Sequence, residues 1–219
     1  MVDELAAILP LPATLADNAF TLLAGKAPLV RVAGTLVGAA VVAAAAPLVD
    51  RVSETLAAQG LSEVGVAPVQ EPGSWAQCLS AGLQHCHRSA RHVLIHDVRR
   101  PLAPESLRDR VIAALLAGSP VVMPVLAVTD SVKAVDANGA VTGTLDRSTL
   151  RTVQYPRGFA IDELNRLLDG RTSDDFDELD AALRTGTQIT LVDGDADAFV
   201  VELPRDTDYV EAIIASRQA

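Results

Sequence analysis

Aromatic side chains are nearly absent from this chain: one Trp, two Tyr and four Phe in 219 residues, although 49% of positions are apolar. A core must therefore be built from Ala, Val and Leu, which suits helices packed closely on a Val-rich sheet. Cysteine is equally scarce. Cys78 and Cys86 are the only two thiols, in the stretch CLSAGLQHCH with His85 and His87 beside them, and their C-x₇-C spacing is not a zinc signature. The residues read instead as two buried, reduced thiols on a helix. Long hydrophobic runs are missing too. The longest, VGAAVVAAAAPLV (37–49), is too short and too weakly hydrophobic to span a bilayer, and Pro47 interrupts it. The chain opens with Asp3 and Glu4 rather than basic residues, so a secretory leader is not expected and a cytoplasmic location is the default. Positive charge is in deficit: 18 Lys and Arg stand against 28 Asp and Glu, a formal net charge of −10, with no basic cluster. Such a surface repels nucleic-acid backbone and anionic lipid, which excludes both as partners, and it holds a triphosphate only where a local positive pocket exists.

What is present is alternation. The length accommodates one large α/β domain, expected over residues 1–219. Residues 5–9 and 63–69 read as short buried strands, with 35–49 and 50–59 between them as helical material. Residues 74–89 form a helical pattern and 92–96 a strand ending at a polar turn. The stretch 105–117 has Leu107, Val111, Ile112, Leu115 and Leu116 at helical spacing, with Gly118 placed to end it, and 120–125 is a further strand. This order implies a mostly parallel sheet covered by helices on both faces. Ligands sit at the carboxyl ends of such strands, which is where His96 and Asp97 fall. Residues 131–157 break the pattern. Two short strands, 131–135 and 140–144, flank a turn whose Asn138-Gly139 accommodates positive φ. A two-stranded ribbon is marginal alone, so a second subunit is its natural support. A helix over 161–168 leads to the acidic SDDFDELDAAL, where Asp174 and Asp175 have the character of helix-start residues. Strands over 187–192 and 198–203 and a helix over 207–216 complete the chain.

Three segments carry chemistry: VLIHDVRRP (93–101), PVLAVTDSVKAVD (124–136) and TLDRSTLRTVQYPRGF (144–159). Together they resemble the 2-C-methyl-D-erythritol 4-phosphate cytidylyltransferase (IspD) family of isoprenoid biosynthesis. The resemblance implies a Rossmann-like nucleotidyltransferase fold of the glycosyltransferase-A type, with a protruding β-hairpin arm that embraces the partner of a homodimer. It also implies CTP and methylerythritol phosphate as substrates, CDP-methylerythritol and pyrophosphate as products, and Mg²⁺ as the metal. By the same resemblance Asp97 and Asp197 are the acidic residues near metal and acceptor, and Arg100 contacts phosphate. Asp130, Ser131 (where the family has Thr) and Arg147 bind the acceptor; Lys133 also aligns.

The nucleotide side departs from that pattern. The family's first strand leads into a Gly-rich loop with an Arg and then a Lys, so that backbone N–H groups and two cations meet the triphosphate. Here AAILP runs into LPATLADNAFTLLAGKAPLV, with no Gly before Gly25 and no Arg before Arg31; Lys26 is the remnant of the cationic pair. In PGSWAQCLSAGL (72–83), Gly73 matches a nucleoside-binding Gly, but Trp75 stands at its Arg, and Gln77 and Cys78 replace Asp and Ser. The family's Gln-Thr-Pro-Gln reads Gln154-Tyr155-Pro156-Arg157, and the Lys expected three residues after Asp197 is Val200. Losing one oxyanion donor costs roughly 10²–10³ in rate. The expectation is a degenerate member with weak or no CTP-dependent activity that binds a small phosphorylated ligand or a protein partner. An active divergent enzyme, with Lys26, Arg99 and Arg157 supplying charge from new directions, is the alternative.

Overall fold

A computed structural model describes residues 4–36, 38–173 and 175–217. Its centre is an eight-stranded sheet in the order β10-β5-β9-β4-β1-β2-β3, with β8 paired to the distal part of β5. The parallel pairs join β1 (Leu5–Leu11) to β2 (Ala39–Ala45) and β4 (His92–Ile95), β2 to β3 (Gly65–Val69), and β10 (Ile189–Asp193) to β5 (Val121–Ala127). β9 (Arg157–Ala160) runs antiparallel between β4 and β5, and β8 (Arg151–Val153) is antiparallel to β5. The mostly parallel α/β architecture expected from the alternation is present, with two short antiparallel strands inserted.

Both faces of the sheet are dry. Ala6 and Ile8 of β1 face one layer, with Ala76 and Leu79 of α4 (Trp75–His85) and Leu164 and Leu167 of α6 (Ile161–Asp169). Leu9 and Leu11 face the other, with α2 (Pro28–Ala33) and α3 (Val49–Ala58), while Ala7 and Leu94 meet Val111 and Leu115 of α5 (Glu105–Leu116). Small residues set this spacing. An added Cβ on Gly82 of α4 lies 2.6 Å from Ile8 Cγ2, and one on Gly158 of β9 lies 2.7 Å from Val111 and Leu115.

Four local expectations need correction. Residues 35–49 are not helical: β2 and a 3₁₀ turn (Ala46–Leu48) occupy most of them, and Val37 lies outside the described residues. Alanine's helix propensity, under about 1 kcal/mol per residue, yields to burial on both faces between β1 and β3. Residues 198–203 form no strand; they are an irregular run pinned by Val201 N–H on the Arg99 carbonyl at 2.7 Å. The acidic helix α7 (Glu178–Thr185) starts on Asp177, whose Oδ1 accepts from Leu179 and Asp180 N–H at 2.8 and 3.0 Å, rather than on Asp175; Asp174 lies outside the described residues. The stretch after β1, expected as a loop, holds a 3₁₀ turn (Ala13–Leu15) and α1 (Ala16–Phe20). The arm is a separate ribbon of β6 (Lys133–Val135) and β7 (Val141–Thr144). The chain closes on α8 (Thr207–Ser216), and among the described residues no helix is long and apolar enough to cross a membrane.

Candidate functional site

The carboxyl ends of β1, β3 and β4 open onto a cavity of about 470 Å³. Pro12 to Leu15 form one wall, Pro72 to Trp75 a second, and Arg99, Tyr155 and the segment from Asp175 to Glu178 the rest. Gly73 sits at φ +62°, where a Cβ would lie 2.8 Å from the Cβ of Ala45, so only glycine brings this turn against β2. Ser74 then caps α4 in a reciprocal capping box with Gln77, whose Oε1 accepts from Ser74 N–H at 2.8 Å. Gln77 therefore serves the helix start, and Cys78 is buried behind it, its thiol pushed up to about 11 by burial.

Two charged clusters bound the cavity. In the first, Asp97 is 1% exposed and its carboxylate is fully engaged by its neighbour Arg99. Arg99 Nε lies 3.1 Å from both oxygens, Nη2 2.7 Å from Oδ2, and the Arg99 backbone N–H 2.9 Å from Oδ1. Hydrogen bonding to Asp97 raises the Arg99 guanidinium above its ordinary value. Behind it His96 is buried and neutral: its Nδ1 accepts from Asp97 N–H at 2.9 Å, and burial lowers its pKa to about 4.

The second cluster centres on Glu178, which is fully buried. Trp75 Nε1 donates to it at 2.8 Å, Arg157 Nη1 at 2.9 Å and the Tyr155 hydroxyl at 3.3 Å. Arg157 also reaches Asp177 at 3.2 Å and lies over the Tyr155 ring at 4.2 Å, while Trp75 meets Tyr155 edge-on at 6.0 Å between centroids. Burial raises the Glu178 carboxyl, with Arg157 and Trp75 pulling it back. Arg157 is thus committed to Glu178 and Asp177, and Arg99 to Asp97. Both arginines that the alternative reading calls on to supply the missing charge are carboxylate-paired in this structure.

A third group ties the run after β10 to the turn at Arg100 and to the end of β8. Buried Arg100 donates through Nη1 to the Ala198 carbonyl and through Nη2 to Val153 at 3.4 Å, with its buried Nε left without a partner among the described residues. Gln154 donates to Asp195 O at 2.7 Å and accepts from Asp195 N–H at 2.8 Å. Asp197, next along this run, pairs with Arg217 at 2.5 Å. Among the described residues no three His, Cys, Asp or Glu side chains converge to hold a metal. Both oxygens of Asp97 are taken by Arg99, so this buried carboxylate does not fit a divalent cation, whereas Asp197 carries only an exposed pair. Lys26 is exposed in the turn before α2 and does not line the cavity. Asp130, Ser131 and Arg147 come together at the exposed base of the arm, where Arg147 Nη1 donates to the Thr129 carbonyl; none of them lines the cavity.

The profile of the 2-C-methyl-D-erythritol 4-phosphate cytidylyltransferase family, IspD, matches residues 17–216. The chain belongs to this family. A cytidylyltransferase of this name from Rhodococcus opacus (strain B4) is 41% identical over 128 residues, covering 57% of this chain and 55% of that protein. One from Frankia casuarinae is 43% identical over 126 residues, 56% of this chain and 46% of the relative. The chain thus spans about half the length of the curated relatives it matches. Among solved structures, the IspD-family enzyme of Thermus thermophilus superposes with a TM-score of 0.75 at 25% identity, over 97% of this chain and 99% of that one. The corresponding synthase of Anaerococcus prevotii, at 18% identity, shares the fold with a TM-score of 0.81 over 96% of both chains. The resemblance read from residues 93–159 is therefore correct in family and fold. Glu178 has no signal of its own in the sequence: it is one acid among five in 174–180, and only its burial beneath Trp75, Tyr155 and Arg157 singles it out.

Proposed function

We propose that this IspD-family member retains the cytidylyltransferase scaffold with little or no CTP-dependent transfer. The carrying observation is the wall formed after β1. Where nucleotidyl transfer calls for a ring of donors around a polyphosphate, together with a divalent metal, this wall is Pro12 followed by a 3₁₀ turn of Ala13, Thr14 and Leu15. The titratable lining opposes a polyphosphate as well: Arg99, already paired to Asp97, stands against Asp175, Asp177 and Glu178. In this reading Gly73 and Trp75 mark the remnant of a nucleoside pocket, and Lys26, exposed and outside the lining, does not serve as its cation. Asp130, Ser131 and Arg147 hold a phosphorylated acceptor only when a second subunit completes the arm base.

Dimerisation through the arm is part of the proposal. Val135, Val141 and Leu145 are 58%, 66% and 46% exposed on an otherwise polar ribbon, as expected of a surface that a partner covers. The continuous sheet supports one folding unit across residues 1–219, and we place it in the cytoplasm. The deciding experiment supplies CTP, methylerythritol phosphate and Mg²⁺ and follows pyrophosphate. Release at the no-protein baseline is expected. CTP-dependent release that disappears in Asp97→Asn would overturn the reading.

A further inference from the structure

A carboxylate with 1% exposure must be compensated locally, and at Asp97 the compensation comes almost wholly from Arg99. The guanidinium lies side-on to the carboxylate. Nε and Nη2 take lone pairs of both oxygens, and the Arg99 N–H takes a further one on Oδ1. A divalent cation binds through the same lone pairs, at about 2.0–2.6 Å for Mg²⁺ or Ca²⁺, so cation and guanidinium are mutually exclusive there. Arg99 also arrives from the side a ligand would use: it lines the cavity, and its side chain is 35% exposed while that of Asp97 is 1%.

Asp197 makes a useful contrast. Its pair with Arg217 is 44% and 41% exposed, the kind of surface pair worth about 0–1 kcal/mol, which a cation displaces readily. The lock is therefore Arg99 rather than Arg217. We propose that the Arg99 guanidinium stands in the cation position at Asp97 and excludes divalent metal from this cleft. The inference is separable from the loss of transfer activity: pyrophosphate release reports the one, and metal binding without nucleotide reports the other.

The test is a Mn²⁺ titration of the full chain without nucleotide, read by electron paramagnetic resonance. The wild type should hold Mn²⁺ only weakly. Arg99→Ala and Arg99→Gln should each bind it at least about tenfold tighter, equivalent to about 1.4 kcal/mol, and Asp97→Asn added to Arg99→Gln should abolish the gain. In parallel, the Arg99 Nε–H resonance of ¹⁵N-labelled wild type should not broaden on Mn²⁺ addition. That second readout needs no variant, so it stands even if removing the arginine unfolds the protein. Broadening of the Arg99 resonance, Mn²⁺ binding by wild type that Asp97→Asn removes, or a folded Arg99→Gln protein with no gain would each overturn the proposal.

Discussion

Glu178 is the point on which three departures from the family pattern converge, because Trp75, Tyr155 and Arg157 all donate to the same buried carboxylate. Taken singly, each substitution looks like the loss of a nucleotide contact; together they form a closed polar network that fills one wall of the cavity. Removing one partner should therefore cost far more than removing the pair. Arg157→Ala leaves a fully buried carboxylate without its cation, and should lower stability by about 3–5 kcal/mol in urea denaturation. Arg157→Met combined with Glu178→Gln should recover most of that loss. His96 gives a pH signature at the same scale. Its pKa falls from 6.5 in an open chain to about 4 in the fold. The unfolded chain therefore takes up a proton that the folded chain refuses, and stability is lost as pH drops from 6.5 toward 4. The slope reaches about 1.4 kcal/mol per pH unit only below the unfolded pKa, so the loss between pH 6.5 and 5 is about 1.5 kcal/mol. Urea midpoints at the two pH values should show it in the wild type and not in His96→Asn, which keeps an acceptor for the Asp97 N–H. The sequence singles out His96, Asp97, Trp75, Tyr155 and Arg157 one by one, but not Glu178 and not the pairings among them. Arg99 is visible there as an extra charge in a tight turn, but its target two residues back is not, since pairing depends on a turn geometry that spacing alone does not specify.

The elements are more legible than the contacts, and the failures share a cause. α3, α4, α5, α6 and α8 are readable from helical spacing, and the arm from its Asn-Gly turn, because a local signal is present in each. β2 misleads because its AAVVAAA composition carries strong helix propensity, while the burial that makes it a strand comes from β1 and β3 on either side. The run after Asp197 misleads for the converse reason: Val201 and Leu203 are buried against Leu23, Leu102, Val210 and Ile214, while Arg99, Arg100 and Gln154 hold the backbone in place of a ladder. Gly82 tests how far packing overrides propensity. Alanine there gains about 1 kcal/mol as a helix former, yet its Cβ meets three Ile8 carbons at 2.6, 2.9 and 3.0 Å, and Ile8 is fully buried with no room to yield. Overpacking of this kind costs about 1–3 kcal/mol, so Gly82→Ala should lower the melting temperature rather than raise it. For the arm, Val135→Asp with Val141→Asp should move the protein from dimer to monomer in light scattering after size exclusion, with unchanged far-ultraviolet circular dichroism. A wild type that is monomeric at every concentration would count against arm-mediated assembly.

At the scale of the whole molecule, the distribution of charge bears directly on what the cleft admits. The chain carries a formal charge of −10, and a cleft can still attract an anion if its own lining is positive, because low-dielectric walls focus the local field. Here the focusing works the other way. Arg99 is neutralised by Asp97, Arg157 by Glu178 and Asp177, and Arg100 is turned to the carbonyls of Val153 and Ala198. Asp175 is left exposed on the rim. Among the described residues a triphosphate entering this cleft meets no uncommitted cation and no glycine-rich backbone in its lining, and Asp97, the buried carboxylate beside it, is already taken by Arg99. Millimolar CTP with Mg²⁺ should accordingly leave the melting temperature within about 1 °C of the ligand-free value. Saturation at a hundredfold excess over Kd would stabilise the fold by about 2.7 kcal/mol, which shifts the melting temperature of a domain this size by about 5–10 °C. The two outcomes are far apart, so a thermal-shift measurement decides between them. A CTP-induced rise of several degrees that vanished on chelating the metal would return the nucleotide to this site and contradict the electrostatic argument at its root.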